Sequence, residues 1–282
     1  MKIISDPQEI QALCRGLRFS GVTTALVPTM GFLHDGHKSL LLAAKNRAEK
    51  VILSIFVNPT QFGPGEDLEA YPRDFNRDVK IAEEVGVDIV FAPKPEAMYG
   101  PDHATWVEAP ELAKELCGAS RPTHFRGVCT VVLKLFNLCM PTFALFGEKD
   151  WQQLAIIKAM TRDLNLPVQV EGCPIVREPD GLALSSRNSY LTQSERQQAP
   201  HIFKGLKLVQ KLARNGEHDP RQLKKAVEEY WQEHLPLGEI DYLEFVNPVK
   251  IERVDAVQGE TLVAVAMRLG KARLIDNLLI RS

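Results

Sequence analysis

The sequence predicts an α/β chain built on a doubly wound parallel sheet and completed by a smaller α+β domain toward its carboxyl end. Three observations predict it. Short apolar runs alternate with segments of helical period from Thr23 to about Val168. The run Val51 to Val57 is apolar and rich in β-branched residues, as a strand buried on both faces must be. Beyond about residue 175 the pattern changes to amphipathic helices followed by three alternating strands.

Taken in order, the chain opens with a helix: Asp6 can cap it, Pro7 suits its first position, and Ile10, Leu13, Cys14 and Leu17 recur at helical spacing. A strand at Thr23 to Val27, a helix from His37 to Ala48 and the strand Val51 to Val57 complete a βαβ unit. Helices over about 74–85, 127–138 and 151–164 then alternate with strands at 87–91, 142–146 and near Val168. This is a Rossmann-like order, in which ligands bind at the carboxyl ends of the strands. The domain boundary is expected near residue 175, dividing the chain into 1–175 and 176–282. In the second part Thr192 and Glu195 form a capping box for a helix whose stripe is Ala199, Ile202, Phe203, Leu206, Val209 and Leu212. Asp219-Pro220 starts another helix, and 240–246, 261–267 and 272–280 read as strands.

With 282 residues, 45% hydrophobic and 25% charged, the composition is globular and excludes disordered and fibrous classes. A net charge of -2 without a Lys/Arg run offers nucleic acid no general attraction. Cys14, Cys117, Cys129, Cys139 and Cys173 show neither a CxxC pair nor zinc spacing, so reduced thiols are expected. No stretch approaches the roughly 20 apolar residues of a membrane span. A cytoplasmic enzyme is the expectation.

Four clusters fall where the sheet should bind its ligands. The first is Pro28 to His37, PTMGFLHDGH, between a strand and the next helix. A helix start favours an anion, glycine lets backbone approach phosphate closely, and His34 and His37 can donate to developing phosphate charge. Asn58-Pro59-Thr60-Gln61 follows the next strand, with amides able to read hydroxyls and a carboxylate. Phe146 to Asp150, FGEKD, follows a third strand and puts Lys149 where it can neutralise a transferring phosphate, with Gln153 one helical turn on. Val176 and Leu184-Ser185-Ser186-Arg187 open the second domain with hydroxyls and a guanidinium suited to a triphosphate. The missing GxGxxG after the first strand disfavours a nicotinamide dehydrogenase.

The ordered set PTMGFLHDGH, SIFVNPTQFG, YPRD, HFRGVCTVVLKLFN, FGEKDWQQ and LSSRN resembles the pantothenate synthetase family, within the nucleotidyltransferases that carry a HIGH motif. The resemblance implies that ATP adenylates the carboxylate of pantoate, pyrophosphate leaves, and β-alanine displaces AMP. It implies a smaller domain closing over ATP, which would lie against Met30, Gly31, Phe32, Leu33, His34, Asp35, Gly36 and His37. It extends that site to Gly147, Glu148, Lys149, Asp150, Val176 and Leu184 to Arg187. His34, His37 and Lys149 would be catalytic, with His37 the proton donor and Lys149 on the pentacoordinate phosphorus. Asn58, Gln61 and Gln153 would bind substrate. Magnesium is expected on the β- and γ-phosphates. Asp78 matches a family acid near that metal, although an exposed helical aspartate is the more ordinary reading of its position. Arg121, His124 and Arg126 read either as a basic rim or as packed side chains. A homodimer is implied. The competing readings are a nucleotidyltransferase joining AMP to a phosphorylated acceptor, an aminoacyl-tRNA synthetase, and a nucleotide sensor without turnover.

Overall fold

The computed structural model describes residues 1–281. They form β1 (Lys2–Ile4), α1 (Pro7–Phe19), β2 (Thr24–Thr29), α2 (Asp35–Lys45), β3 (Lys50–Ile55), α3 (Phe75–Val85), β4 (Ile89–Phe91), α4 (Pro95–Met98), α5 (Cys117–Ser120), α6 (His124–Cys139), β5 (Phe143–Gly147), α7 (Trp151–Asp163) and β6 (Gln169–Cys173). After these come α8 (Gln193–Gln198), α9 (His201–Arg214), α10 (Pro220–His234), β7 (Gly238–Val246), β8 (Glu260–Leu269) and β9 (Ala272–Arg281). The first six strands pair in parallel in the order β1-β4-β3-β2-β5-β6, and β7-β8-β9 make an antiparallel sheet.

The order reverses at β2. From there the chain winds outward through β3 to β4, which pairs with the opening strand β1 at that edge, and then through β5 to β6 on the other side. The crevice at the carboxyl ends of β2 and β5 is therefore the switch point of the sheet. Period-two alternation explains why both faces are covered. Ala25, Val27, Val51 and Leu53 pack with Leu40, Leu41 and Ala44 of α2. Leu26 and Ile52, one residue out of phase, pack with Ile10 and Cys14 of α1 and Val128, Val132 and Leu135 of α6. A separate core joins α9 and α10 to the second sheet through Leu206, Val209, Leu223, Val227, Trp231, Val263 and Val265.

Side-chain caps set several helix starts. Asp6 accepts from the amides of Gln8 at 2.6 Å and Glu9 at 3.1 Å, Asp74 from that of Arg77 at 3.1 Å, and Asp219 from that of Arg221 at 2.9 Å. Gly86, at φ 80°, closes α3 in a conformation that suits glycine.

The short helices α4 and α5 were not expected from the sequence, and two further departures have a local physical reason. β1 has no counterpart among the expected strands: only Ile4 of its three residues is buried, so no periodicity marks it. The helix expected from Thr192 through Leu212 is two helices. Thr192 and Glu195 do form the capping box, but it belongs to α8. Pro200, without an amide hydrogen to donate, separates α8 from α9.

α6 lies against the turn Pro59–Gln61 so closely that a Cβ on Gly127 would meet the Thr60 carbonyl oxygen at 2.5 Å and the Gln61 nitrogen at 2.6 Å. Helix propensity alone favours alanine over glycine by about 1 kcal/mol. Overpacking against backbone opposes it by typically about 1–3 kcal/mol. Gly127→Ala should therefore lower the urea midpoint, and a raised midpoint would show that the two elements separate freely.

Candidate active site

One cleft at the switch point is lined by residues from all four sequence clusters: Met30, His34, Gly36 and His37 after β2, and Asn58 and Gln61 after β3. Gly147, Lys149, Asp150 and Gln153 follow β5, and Val176 and Leu184 to Arg187 come from the start of the second part. Of the other residues expected at the nucleotide, Leu33 is fully buried in the core and Asp35 is exposed beside Lys38. Phe32 and Glu148 also do not line this cleft, and Gly31 lines a neighbouring depression with Asp78.

The loop from Gly31 to Leu33 takes an unusual path, with φ 82° at Gly31 and 51° at Phe32. The Asp78 carboxylate holds it there, accepting from the amides of Phe32 and Leu33, both at 2.7 Å. A Cβ on Gly31 would sit 2.9 Å from Asp78 Oδ2, so glycine is required by both conformation and space. Asp78 is 1% exposed, and burial raises its pKa against the opposing pull of those amides. Asp78 is therefore not the exposed helical aspartate that its position also suggested: each of its oxygens accepts from a backbone amide.

The loop delivers the chain to the start of α2 with two stacked imidazoles, His34 and His37, their centroids 4.0 Å apart. The His34 amide donates to His37 Nδ1 at 3.3 Å, which leaves the proton of a neutral His37 ring on Nε2. His34 Nδ1 is buried without a partner, and any Cβ at Gly36 would strike that ring at 2.9 Å. Burial, helped by Lys149, pushes His34 down to about 4. Burial, then the neighbouring His34 and Lys149, push His37 well below the usual imidazole value. At neutral pH both rings are uncharged hydrogen-bond donors.

After β3 the two amides have different surroundings. Asn58 is buried, and its Nδ2 donates to the Gly127 carbonyl and to Gln61 Oε1, both at 3.1 Å. Its Oδ1 accepts from the hydroxyls of Thr60 at 3.0 Å and Tyr99 at 2.9 Å. Asn58 therefore braces Gln61. The Gln61 carbonyl in turn accepts from Arg121 at 3.2 Å and His124 Nδ1 at 2.8 Å. Burial, then Arg121, pushes His124 down to about 4. Arg126 instead lies over the Trp106 ring at 4.9 Å. In the adjacent glutamines, Gln152 bonds the carbonyls of Leu112 at 2.9 Å and Glu115 at 2.7 Å, whereas Gln153 faces the cleft.

Arg187, expected to meet phosphate, is held by Asp67 through Nε at 2.9 Å and Nη2 at 2.8 Å. Arg121 is held the same way by the adjacent Glu66, at 2.7 and 2.5 Å. Glu66, Asp67, Arg177, Asp276 and Asn277 are not among the residues expected from sequence. Only the last pair left a trace: two adjacent polar residues inside an apolar strand, one of which must face inward.

Residues 2–279 match the model of the pantoate-beta-alanine ligase family. The chain belongs to that family. A pantothenate synthetase of Nitratidesulfovibrio vulgaris strain DP4 is 59% identical over 280 residues, covering 99% of both chains. One from Oleidesulfovibrio alaskensis is 56% identical over 278 residues, again covering 99% of both. The crystal structure of pantothenate synthetase from Thermus thermophilus superposes with a TM-score of 0.91 at 43% identity, with 99% of each chain covered. That of a Francisella tularensis pantoate-beta-alanine ligase, complexed with beta-gamma ATP and beta-alanine, gives 0.82 at 33% identity over 99% of this chain and 97% of that one. The fold expected from sequence, a parallel sheet with a smaller α+β part, is the fold of these ligases.

The geometry of this ligase cleft can be tested at two points. Asp78→Asn should weaken the loop by about 1.5–3 kcal/mol, the scale of a hydrogen bond to a charged group. It should reduce turnover while leaving the dependence of rate on added divalent cation unchanged; a shift in that dependence would mean that Asp78 meets a metal. The second point concerns acid stability. His34, His37 and His124 have folded-state pKa values below the ordinary 6.5, so the unfolded chain binds their protons more readily. The contribution of His34 and His124 to stability is complete above about pH 6.5 and is lost as pH falls toward about 4, and His37 acts in the same direction. Urea midpoints should drop across that window, and less steeply for His34→Asn; parallel curves would contradict the assignment.

Proposed function

We propose that the cleft joins pantoate to β-alanine in two steps. In the first, a pantoate carboxylate oxygen attacks the α-phosphorus of ATP, the bond to the β-phosphate oxygen breaks, and pyrophosphate departs. In the second, the β-alanine amine attacks the acyl carbon, the bond to AMP breaks, and the nitrogen loses a proton. The observation that carries this reading is the meeting of two neutral imidazoles, a lysine, three side-chain amides and a hydroxyl-arginine loop at one switch point. Membership of the ligase family and the ligands of the Francisella relative support it.

In this reading the start of α2 and the Nε2–H of His37 receive phosphate oxygens, and the buried His34 Nδ1 becomes satisfied there. Lys149, which makes no ion pair among the described residues, offsets the charge of the pentacoordinate phosphorus. Gln61, with its backbone fixed by Arg121 and His124, and Gln153 hold pantoate; Gln61 also borders the amine. Val176 meets adenine, and Ser185, Ser186 and Arg187 meet the triphosphate, which must compete with Asp67 for the guanidinium. The polypeptide divides functionally into 1–175, which binds nucleotide and pantoate, and 176–282, which closes over ATP.

No group of three His, Cys, Asp or Glu side chains that could hold a metal occurs among the described residues. Among the described residues Asp150 is the one carboxylate lining the cleft, and it would hold a magnesium ion that enters with ATP. When bound, the ion would neutralise phosphate charge. We further read the protein as a cytoplasmic homodimer, on the strength of its ATP dependence and its family; sedimentation equilibrium at one chain mass would remove the dimer. Among the described residues no helix is long and apolar enough to cross a membrane.

The deciding experiment is exchange of labelled pyrophosphate into ATP with pantoate present and β-alanine absent. Exchange is expected, because adenylation is reversible before the amine arrives. Lys149→Ala should slow this exchange by about a hundredfold or more, the scale for losing one transition-state donor, and should affect aminolysis of preformed pantoyl-adenylate far less. No exchange, together with no AMP release on adding β-alanine, would remove the substrate assignment. Equal losses in both half-reactions would remove the role of Lys149.

A further inference from the structure

A lysine ammonium sits at the end of four flexible methylenes, so its position depends on whatever fixes its backbone and on what its charge meets. In this chain both are determined by residues far away in sequence. Asn277, on β9, donates from Nδ2 to the carbonyl of Glu148 at 2.9 Å and to that of Lys149 at 3.0 Å. Those two carbonyls belong to the short turn Glu148–Asp150 between β5 and α7. One amide group thus bridges two consecutive peptide units, which fixes the orientation of the turn as well as its height above the sheet.

Asn277 is itself held. It is 4% exposed, and its own amide donates to Asp276 Oδ1 at 2.8 Å. Asp276, equally buried, accepts from Arg177 Nη1 at 2.6 Å and Nη2 at 2.8 Å. The guanidinium of Arg177 lies 3.5 Å from the centroid of the Phe203 ring on α9. This bidentate pairing also has an electrostatic consequence. Asp276 is a buried carboxylate near Lys149, and by saturating it Arg177 leaves the ammonium free for phosphate.

We propose that Asn277 is the positioning residue of Lys149, acting across the boundary between the two parts of the chain, with Asp276 and Arg177 as its support. The proposal rests on the role given to Lys149 above. Asn277 touches no reacting atom; it acts through the turn alone. Its removal leaves the ammonium present but displaced, and misplacement of about 1 Å can cost on the order of a hundredfold in rate.

The test is a double-mutant cycle read in both half-reactions. Asn277→Ala should slow pantoate-dependent pyrophosphate exchange by about 10- to 100-fold in kcat. KM for ATP and for pantoate should change far less, and aminolysis of preformed pantoyl-adenylate should keep its rate. In a Lys149→Ala background the same substitution should cost little further, because coupled residues are not additive. If Lys149→Ala is slow and Asn277→Ala then costs its full factor again, or if Asn277→Ala slows both half-reactions alike, the proposal is overturned while the reading of Lys149 stands. If Lys149→Ala adenylates at the normal rate, that reading falls and the proposal falls with it. Should Asn277→Ala not fold, Asn277→Asp preserves volume while replacing the bridging donor with an acceptor, and the same pattern is expected of it.

Discussion

Where a parallel strand ends its ladder of hydrogen bonds ends too, and the backbone of the loop beyond must find partners elsewhere or pay for their absence. The cleft of this ligase is built on three such loops, and each is tied to another element by a buried polar side chain. Asp78 of α3 takes the two amides beyond β2. Asn58 ties the turn beyond β3 to α6 through the Gly127 carbonyl. Asn277 of β9 takes the two carbonyls beyond β5. The sheet supplies a rigid platform, and these contacts decide where imidazole, amide and ammonium stand above it.

Electrostatics follow the same pattern of local control. The chain is slightly acidic overall, with a net charge of -2, so affinity for polyanions has to come from local arrangement. Two arginines beside the cleft are already neutralised by consecutive acids, Glu66 and Asp67. The imidazoles are kept uncharged by burial and by Lys149. Among the described residues that line the cleft, this leaves Lys149 as the cation whose charge is not answered by an ion pair. An arriving phosphate therefore meets one unpaired cation and several neutral donors, and competes for Arg187 against a carboxylate.

The parallel sheet and most of the cleft were legible in the sequence because both depend on local order. The β-branched run at Val51 and the histidines at a strand-to-helix junction announce themselves within a dozen residues. Supporting contacts were legible only where they, too, were local, as with Thr192 and Glu195. Asp78 could not be read correctly, since a polar residue in the first turn of a helix looks the same whether it faces solvent or a loop 45 residues earlier. Asn58 and Gln61 looked alike as amides, and only packing shows that one braces the other. β1 escaped because a single buried side chain carries no period.

The bridge from Asn277 to the lysine turn spans 128 and 129 residues of sequence. A chain synthesised from its amino end can assemble the parallel sheet, both imidazoles and the turn itself while β9 has yet to be made. A contact that fixes a charged group thus forms only after β9 is made. A nascent or clipped chain can hold the outline of a nucleotide cleft without the alignment that makes it turn over, so competence waits for β9.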